Sequence, residues 1–303
     1  MALQYEKISP LKNLELLAKK TVEGFITGLH KSPFHGFSVE FAEHRLYNTG
    51  ETTRHIDWKL FARTEKLFVK RYEEETNLRC QVVIDVSGSM LFPKDSANNK
   101  LNFSVHAAAA LCELLKRQRD AYGITLFEKD IIGHLPAKNN PLHFQNCIHT
   151  LEQELAVRQP AHGTGAAKAL NQVAEIIHQR SLVIIFSDMF ENATGDEDLF
   201  SALQHLKYKK HEVVLFHVCD KSKEVEFNFE NKPYRFVDLE SGEEVKLNPN
   251  LVQKEYREAV SDFISQIQIR CGQYKIDFVE ADINQGFDKV LMTYLVKRSR
   301  MIS

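Results

Sequence analysis

The stretch QVVIDVSGSM, residues 81–90, brings one carboxylate and two hydroxyls to the end of an apolar run. The apolar residues predict a buried strand that ends near Asp85, and Ser87 and Ser89 follow at alternate positions. This spacing lets a tight turn aim all three side chains at one centre, while Gly88 permits a close approach of the backbone. Carboxylate and hydroxyl oxygens are the ligands that Mg²⁺ and Mn²⁺ prefer. The stretch therefore predicts part of a divalent-metal site.

Two further oxygen donors occupy comparable places later in the chain. The apolar run LVIIFSD ends on Asp188, and Thr164 lies in the loop HGTG before a predicted helix. Ligands of doubly wound sheets collect at the carboxyl ends of the strands. We therefore expect both residues to join the first three at one sheet edge, with Mg²⁺ or Mn²⁺ as the cofactor and waters completing its octahedral shell. The alternative is that Asp85 and the two serines only cap the turn that follows the strand.

Alternating strands and helices from about residue 77 onward must position these oxygens. Apolar runs predict strands at 82–86, 122–127, 131–135, 182–188, 213–218 and 276–279. Helices are predicted at 101–117, 142–155, 166–178, 199–206, 252–270 and 287–297. Continuous Val, Ile, Leu and Phe strands between helices predict an α/β fold with a doubly wound, mostly parallel, six-stranded sheet of Rossmann type. A further strand pair at 234–247, with its turn at 240–243, predicts a hairpin.

The first 76 residues form an N-terminal extension with a predicted helix at 11–29 and a strand at 67–72. We expect this segment, 1–76, to pack on the main domain, 77–300. Trp58 is either a docking site for a partner or an anchor for this packing, and we expect the second because buried Trp dominates packing between segments. Three charged residues nearby are further candidates for partner binding: Arg54, Asp57 and Arg63. They bind a partner's phosphate or carboxylate, or else the first two form an internal ion pair.

Composition and charge exclude several classes of protein. The net charge of -2 gives no basic footprint of the kind that nucleic-acid binding requires. The sequence contains no run of 18 apolar residues, so it predicts no membrane span. The first residues lack the pattern of a signal peptide. The five cysteines lie far apart, which favours reduced, buried thiols over a disulfide framework or a zinc site. We therefore expect a cytoplasmic protein.

The order of predicted elements, together with DVSGSM, resembles the von Willebrand factor A (VWA) fold and its metal-ion-dependent adhesion site. The resemblance covers about residues 77–300. It implies that Asp85, Ser87 and Ser89 supply the first metal-binding loop, Thr164 the second and Asp188 the third. The hairpin around 227–247 departs from the VWA pattern as an insertion, at about 221–248.

The segment before this domain resembles the signature of the bacterial domain-of-unknown-function family fifty-eight. The family core Tyr-x-x-Gly-Asp-x-x-Arg-x-Ile-Asp-Trp stands here as Tyr47, Gly50, Glu51, Arg54, Ile56, Asp57 and Trp58, followed by Arg63. Glu51 replaces the usual Asp. Members of that family typically accompany MoxR-type AAA+ ATPases, so the resemblance implies a cytoplasmic partner or adaptor of such an ATPase.

The proposed ligands favour protein interaction over catalysis. A metal held by neutral hydroxyls and one or two carboxylates keeps excess positive charge, which attracts a further carboxylate from a partner protein. No motif places a general base, and we expect His162 to be a loop residue because this donor set prefers oxygen. We therefore expect no enzyme. Two alternatives remain: a metal-dependent phosphate-ester hydrolase that uses the same site, and a scaffold without metal.

Overall fold

The structure, a computed structural model, describes residues 13–28, 41–48, 53, 56–72, 78–94, 96, 98–156, 165–189, 196–238 and 242–301. The strands, in chain order, are β1 (Phe41–Leu46), β2 (Phe68–Tyr72), β3 (Arg79–Asp85), β4 (Ala121–Phe127), β5 (Ile131–Lys138), β6 (Leu182–Ser187), β7 (Glu212–Cys219), β8 (Tyr234–Val237), β9 (Glu244–Leu247) and β10 (Asp277–Asp282). The helices are α1 (Asn13–Gly28), α2 (Trp58–Thr64), α3 (Lys100–Arg117), α4 (Pro141–Ala156), α5 (Ala166–Ile176), α6 (Asp196–Tyr208), α7 (Pro249–Gln273) and α8 (Phe287–Met301).

Six strands form the central sheet in the order β10-β7-β6-β3-β4-β5. Five of them are parallel, and β5 runs antiparallel to β4. Counted along the chain, this is the strand order 3-2-1-4-5-6 of a doubly wound, Rossmann-type sheet, which reverses direction between β3 and β6. The predicted fold class is therefore confirmed, and the order of elements is the one that the VWA resemblance implies.

Helices cover both faces of the sheet, which explains why its central strands are apolar throughout. On one face, Val83, Ile185 and Leu215 pack with buried side chains of α5, α6 and α7. On the other face, the ring of Phe216 meets Tyr294 of α8 edge-on, and α8 in turn packs beside α3. All five cysteines are buried free thiols, as predicted. Among the described residues, no helix has the length and apolar character to cross a membrane.

The chain divides into two compact units, and the division differs from the predicted one. The larger unit joins Met1–Pro33 to Arg79–Ser303, and the smaller is Phe34–Leu78. Helix α1 therefore belongs with the sheet domain, whereas the prediction grouped it with the 1–76 segment. The reason is its apolar stripe of Leu14, Ala18, Val22 and Phe25, which is buried where α1 packs on α3 and α4.

In the part of the smaller unit that the structure describes, an antiparallel pair, β1 and β2, accompanies the short helix α2. Strand β2 corresponds to the strand predicted at 67–72. Helix α2 was not predicted, because seven residues are too few for an apolar period to show. An isolated bridge between Ile56 and Val69 ties the start of α2 to β2.

The predicted hairpin is present as the antiparallel pair β8 and β9. A turn of π-helix, Lys221–Val225, precedes it and was not predicted. Within the larger unit, aromatic rings connect the hairpin to α7: Phe227 stacks on Phe236 of β8 and contacts Tyr256 of α7. Helix α7 begins three residues earlier than predicted because Asn248 caps its first turn and Pro249 is its first residue.

Candidate metal centre

The carboxyl ends of β3 and β6 bring two of the predicted ligands, Asp85 and Asp188, to the same edge of the sheet. The parallel register pairs Ile84 with Phe186, so the next residues, Asp85 and Ser187, also lie side by side. Asp188 follows directly after the end of β6. These ends flank the point where the strand order reverses, which is where doubly wound sheets bind ligands.

Asp85 is wholly buried, and both of its carboxylate oxygens accept hydrogen bonds. Oδ1 accepts from the backbone N–H of Ser87 at 3.0 Å. Oδ2 accepts from the Ser187 hydroxyl at 2.7 Å. The Ser87 and Ser89 hydroxyl oxygens lie 3.0 Å apart, so the alternate spacing brings these two side chains together. Ser187 was not predicted as a site residue, although a serine inside a fully apolar strand was a visible signal.

The electrostatics of Asp85 favour a nearby cation. Burial and, after it, the charge of Asp188 raise the pKa of Asp85 to about 7, although the hydrogen bonds from Ser87 and Ser187 lower it. The carboxyl group is therefore partly protonated near neutral pH. A positive ion beside it would favour the ionised form and lower this pKa.

One resident cation already contacts the site. Helix α3 begins with Lys100, which is 1% exposed, and its Nζ lies 2.7 Å from Asp188 Oδ2 and 2.6 Å from Glu224 Oε1. Burial lowers the pKa of Lys100, but the charges of Asp188 and Glu224 outweigh burial and raise it overall. Lys100 is thus a charged ammonium between two carboxylates.

Sequence reasoning missed both Lys100 and Glu224. The sequence indicates Lys100 only weakly. It is a lysine at the start of an apolar helix, and a lysine in such a place is buried only when it has a charged partner. Glu224 had none: it lies in the unpredicted π-helical turn, within a run of charged residues that is typical of solvent-exposed loops.

Thr164 and His162 lie outside the described residues, but the residue that follows Thr164 is described. The backbone N–H of Gly165 donates to the carbonyl oxygen of Glu128 at 3.2 Å. A Cβ on Gly165 would lie 2.7 Å from the carbonyl oxygen of Lys129. The HGTG loop therefore ends in close contact with the turn after β4, and the contact leaves space only for glycine.

The donor set fits a hard divalent cation. Among the described residues, no group of three or more His, Cys, Asp or Glu side chains is arranged for a metal. The four described candidates are instead two fully buried carboxylates, Asp85 and Asp188, and the hydroxyls of Ser87 and Ser89. Oxygen-only donors with few carboxylates suit Mg²⁺ or Mn²⁺, which keep several waters, better than a soft metal.

The structure describes three of the four candidate partner-binding residues of the smaller unit. Asp57 caps helix α2, where its Oδ1 accepts from the backbone N–H groups of Lys59 at 3.0 Å and Leu60 at 3.1 Å. Trp58 is 60% exposed and meets Phe61 edge-on, so it is a surface residue of its own unit. Arg63 is exposed in the last turn of α2. Arg54, and with it the predicted Arg54–Asp57 ion pair, lies outside the described residues.

Comparisons with known proteins add relatives in sequence and in structure. The chain is 27% identical over 213 residues to "Uncharacterized protein Rv1480" of Mycobacterium tuberculosis (strain ATCC 25618 / H37Rv), a match that covers 69% of this chain and 64% of the relative. The chain thus spans just under two thirds of the length of that relative. Among solved structures, the chain is similar to BatB from Bacteroides thetaiotaomicron, with 15% sequence identity and a TM-score of 0.44. This match covers 74% of this chain and 99% of BatB. The chain is also similar to the SpRpn10 VWA domain, with 12% sequence identity and a TM-score of 0.31. That match covers 47% of this chain and 76% of the domain.

A family model gives the assignment. The model described as "Protein of unknown function DUF58" matches residues 43–264. The matched range contains the signature residues around Trp58 and the oxygen donors at the ends of β3 and β6. With most of its length matched, this chain belongs to the DUF58 family.

Proposed function

We propose that the chain is a divalent-metal-dependent protein-interaction module. The observation that carries the proposal is the buried Asp85 carboxylate, which bonds to Ser87 and Ser187 at the switch point of the sheet, with Asp188 directly after the neighbouring strand. Asp85, Ser87, Ser89, Thr164 and Asp188 would hold Mg²⁺ or Mn²⁺. When bound, the ion supplies a positive position that a carboxylate of a partner protein completes.

The protein contributes rigid positioning. The hydrogen bonds to Asp85 come from two different strand ends, so the carboxylate is oriented before any ion arrives. The neutral hydroxyls of Ser87 and Ser89 add donors without adding charge, which leaves the site electrophilic toward an acidic partner residue. We propose no catalytic residue.

The partner that we propose is a MoxR-type AAA+ ATPase, which the family resemblance implies, in complex assembly or remodelling in the cytoplasm. In this role the module presents the metal edge of its sheet to an Asp or Glu side chain of the partner. Partner binding should therefore require both the metal and the residues at the ends of β3 and β6.

The first test is metal binding itself. Titration calorimetry with Mn²⁺ is expected to show one site in the wild type and none in Asp85→Ala. Asp262→Ala, which removes an exposed carboxylate from α7, is the matched control and should bind as the wild type does. Equal affinity of the wild type and Asp85→Ala would contradict the proposal. The same samples, with Mg²⁺ and a panel of phosphate esters, test the alternative of a hydrolase, for which we expect no turnover.

A further inference from the structure

The ion pair between Lys100 and Asp188 uses one of the carboxylates that we propose as metal ligands. Asp188 is fully buried, and its Oδ2 accepts from Lys100 Nζ at 2.7 Å. A divalent ion that uses this carboxylate would bring two positive charges close to an ammonium held in a low-dielectric environment. Like charges repel strongly at such distances, so the ion and the ammonium compete for one carboxylate.

Glu224 offers the ammonium a second, fixed partner. Its Oε1 lies 2.6 Å from Lys100 Nζ, and its Oε2 accepts from the backbone N–H of Asp220 at 2.7 Å. The turn that carries Glu224 is itself anchored, because the Asp220 side chain accepts from Lys223 N–H at 3.2 Å and from Asn284 Nδ2 at 2.8 Å. Glu224 is therefore oriented toward Lys100 independently of Asp188.

We propose that Lys100 is a built-in competitor of the divalent ion: it neutralises Asp188 when the metal is absent, and its ammonium stays with Glu224 when the metal binds. This inference rests on the proposed metal site and adds the residues that set its affinity. Lys100 and Glu224 are positioning residues, since neither is a proposed ligand.

The Lys100 ammonium allows two buried carboxylates to coexist at the sheet edge when no metal is bound. Removal of one partner from a buried charged pair leaves an uncompensated charge, which is strongly destabilising. The Lys100 ammonium supplies a positive charge that compensates the Asp188 carboxylate, so the fold does not depend on the ion. The same charge weakens metal binding, and Glu224 limits that weakening because it attracts the ammonium away from Asp188.

Two variants should change metal affinity in opposite directions. Lys100→Met keeps the length of the side chain and removes its charge, so we expect Mn²⁺ to bind about ten-fold more tightly than to the wild type. Glu224→Gln removes the charge of the carboxylate that draws the ammonium away from Asp188, so we expect binding to weaken about three-fold or more. In the double variant the effect of Glu224→Gln should disappear, because it acts only through Lys100.

The experiment is Mn²⁺ titration calorimetry on the full chain, with circular dichroism to verify folding. Lys289→Met and Glu258→Gln, both on exposed helix faces, are the matched controls and should bind as the wild type does. If Lys100→Met fails to fold, Glu224→Gln decides: weaker binding supports the proposal, and equal or tighter binding overturns it.

The outcomes separate this inference from the proposed function. Metal binding that depends on Asp85 but does not tighten in Lys100→Met overturns the role of Lys100 and leaves the metal site intact. Binding by Lys100→Met alone, with none by the wild type, supports the competition and contradicts a metal-dependent function of the natural chain. No binding that depends on Asp85 in either protein overturns both.

Discussion

The hydroxyl of Ser187 donates a 2.7 Å hydrogen bond to Oδ2 of Asp85 and so joins the ends of two neighbouring strands, 102 residues apart in the chain. Ser187 also accepts from the backbone N–H of Met189 at 3.0 Å, which fixes the chain around Asp188. One serine therefore links the first and third loops of the proposed metal site.

Replacement of Ser187 by alanine should destabilise the protein in a pH-dependent way. The hydrogen bond from Ser187 lowers the pKa of Asp85, so its loss leaves the buried carboxylate harder to ionise. We expect the free energy of unfolding to fall by about 1–3 kcal/mol at a pH near 8 and by less near pH 4.5, where Asp85 is protonated. Urea unfolding measures both values, and Thr293→Ala, which removes an exposed helix hydroxyl, is the control. A loss of equal size at both pH values would contradict this role of Ser187.

Asp85→Asn should stabilise the metal-free protein at alkaline pH. The pKa of Asp85 rises from its ordinary 3.8 to about 7 on folding, so the folded state binds the additional proton between those values. The contribution of this proton to stability is complete below about pH 4 and is lost as the pH rises through 7. We therefore expect Asp85→Asn to exceed the wild type in unfolding free energy by up to about 4 kcal/mol near pH 8 and to match it near pH 4.

The comparison with the wild type is essential for this prediction, because His217 titrates with the opposite sign. Burial lowers the pKa of His217 to about 4, so its contribution to stability is lost as the pH falls from about 6.5. Both proteins are unfolded with urea in EDTA. Because both contain His217, its contribution cancels in the difference between their unfolding free energies. A difference that stays constant from pH 4 to pH 8 would show that Asp85 ionises normally.

Much of this site is predictable because strand ends are predictable. The apolar runs before Asp85 and Asp188 predict central parallel strands, and the fold rule for their carboxyl ends then brings the two carboxylates together. Such rules act on patterns within one element. The contact of Lys100 with Glu224 spans 124 residues and uses an irregular turn, so no local period indicates it. Helix α2 was not predicted for a similar reason. It has only seven residues, too few for an apolar period, and it depends on the cap at Asp57.

Gly165→Ala should disturb the second loop of the site. The new Cβ would lie 2.7 Å from the Lys129 carbonyl oxygen, so the HGTG loop or the turn after β4 must move. We expect a loss of about 1–3 kcal/mol in unfolding free energy together with weaker Mn²⁺ binding. Gly272→Ala is the matched control: nothing lies within 4 Å of its added Cβ, and alanine favours the helix by about 0.5–1 kcal/mol. Equal effects of the two substitutions would contradict the close contact at Gly165.

The aromatic cluster of the insertion should support stability without affecting the metal site. Phe227 is buried and contacts the rings of Phe229, Phe236 and Tyr256. We expect Phe227→Ala to reduce the unfolding free energy by about 3 kcal/mol or more. Leu251→Ala, at a side chain 81% exposed, should have almost no effect. Mn²⁺ affinity of the folded Phe227→Ala protein should equal that of the wild type, and a large change would place the cluster in the site.

Partner capture by the wild type and by Asp85→Ala, each in Mg²⁺ and in EDTA, tests the central claim most directly. Each protein is immobilised and incubated with a purified MoxR-type AAA+ ATPase, and retained ATPase is quantified, with Asp262→Ala as the control. The account predicts retention only by the wild type and the control, and only in Mg²⁺. Retention of the ATPase in all conditions would show that the oxygens of DVSGSM are not the contact, and retention in none would contradict the proposed partner.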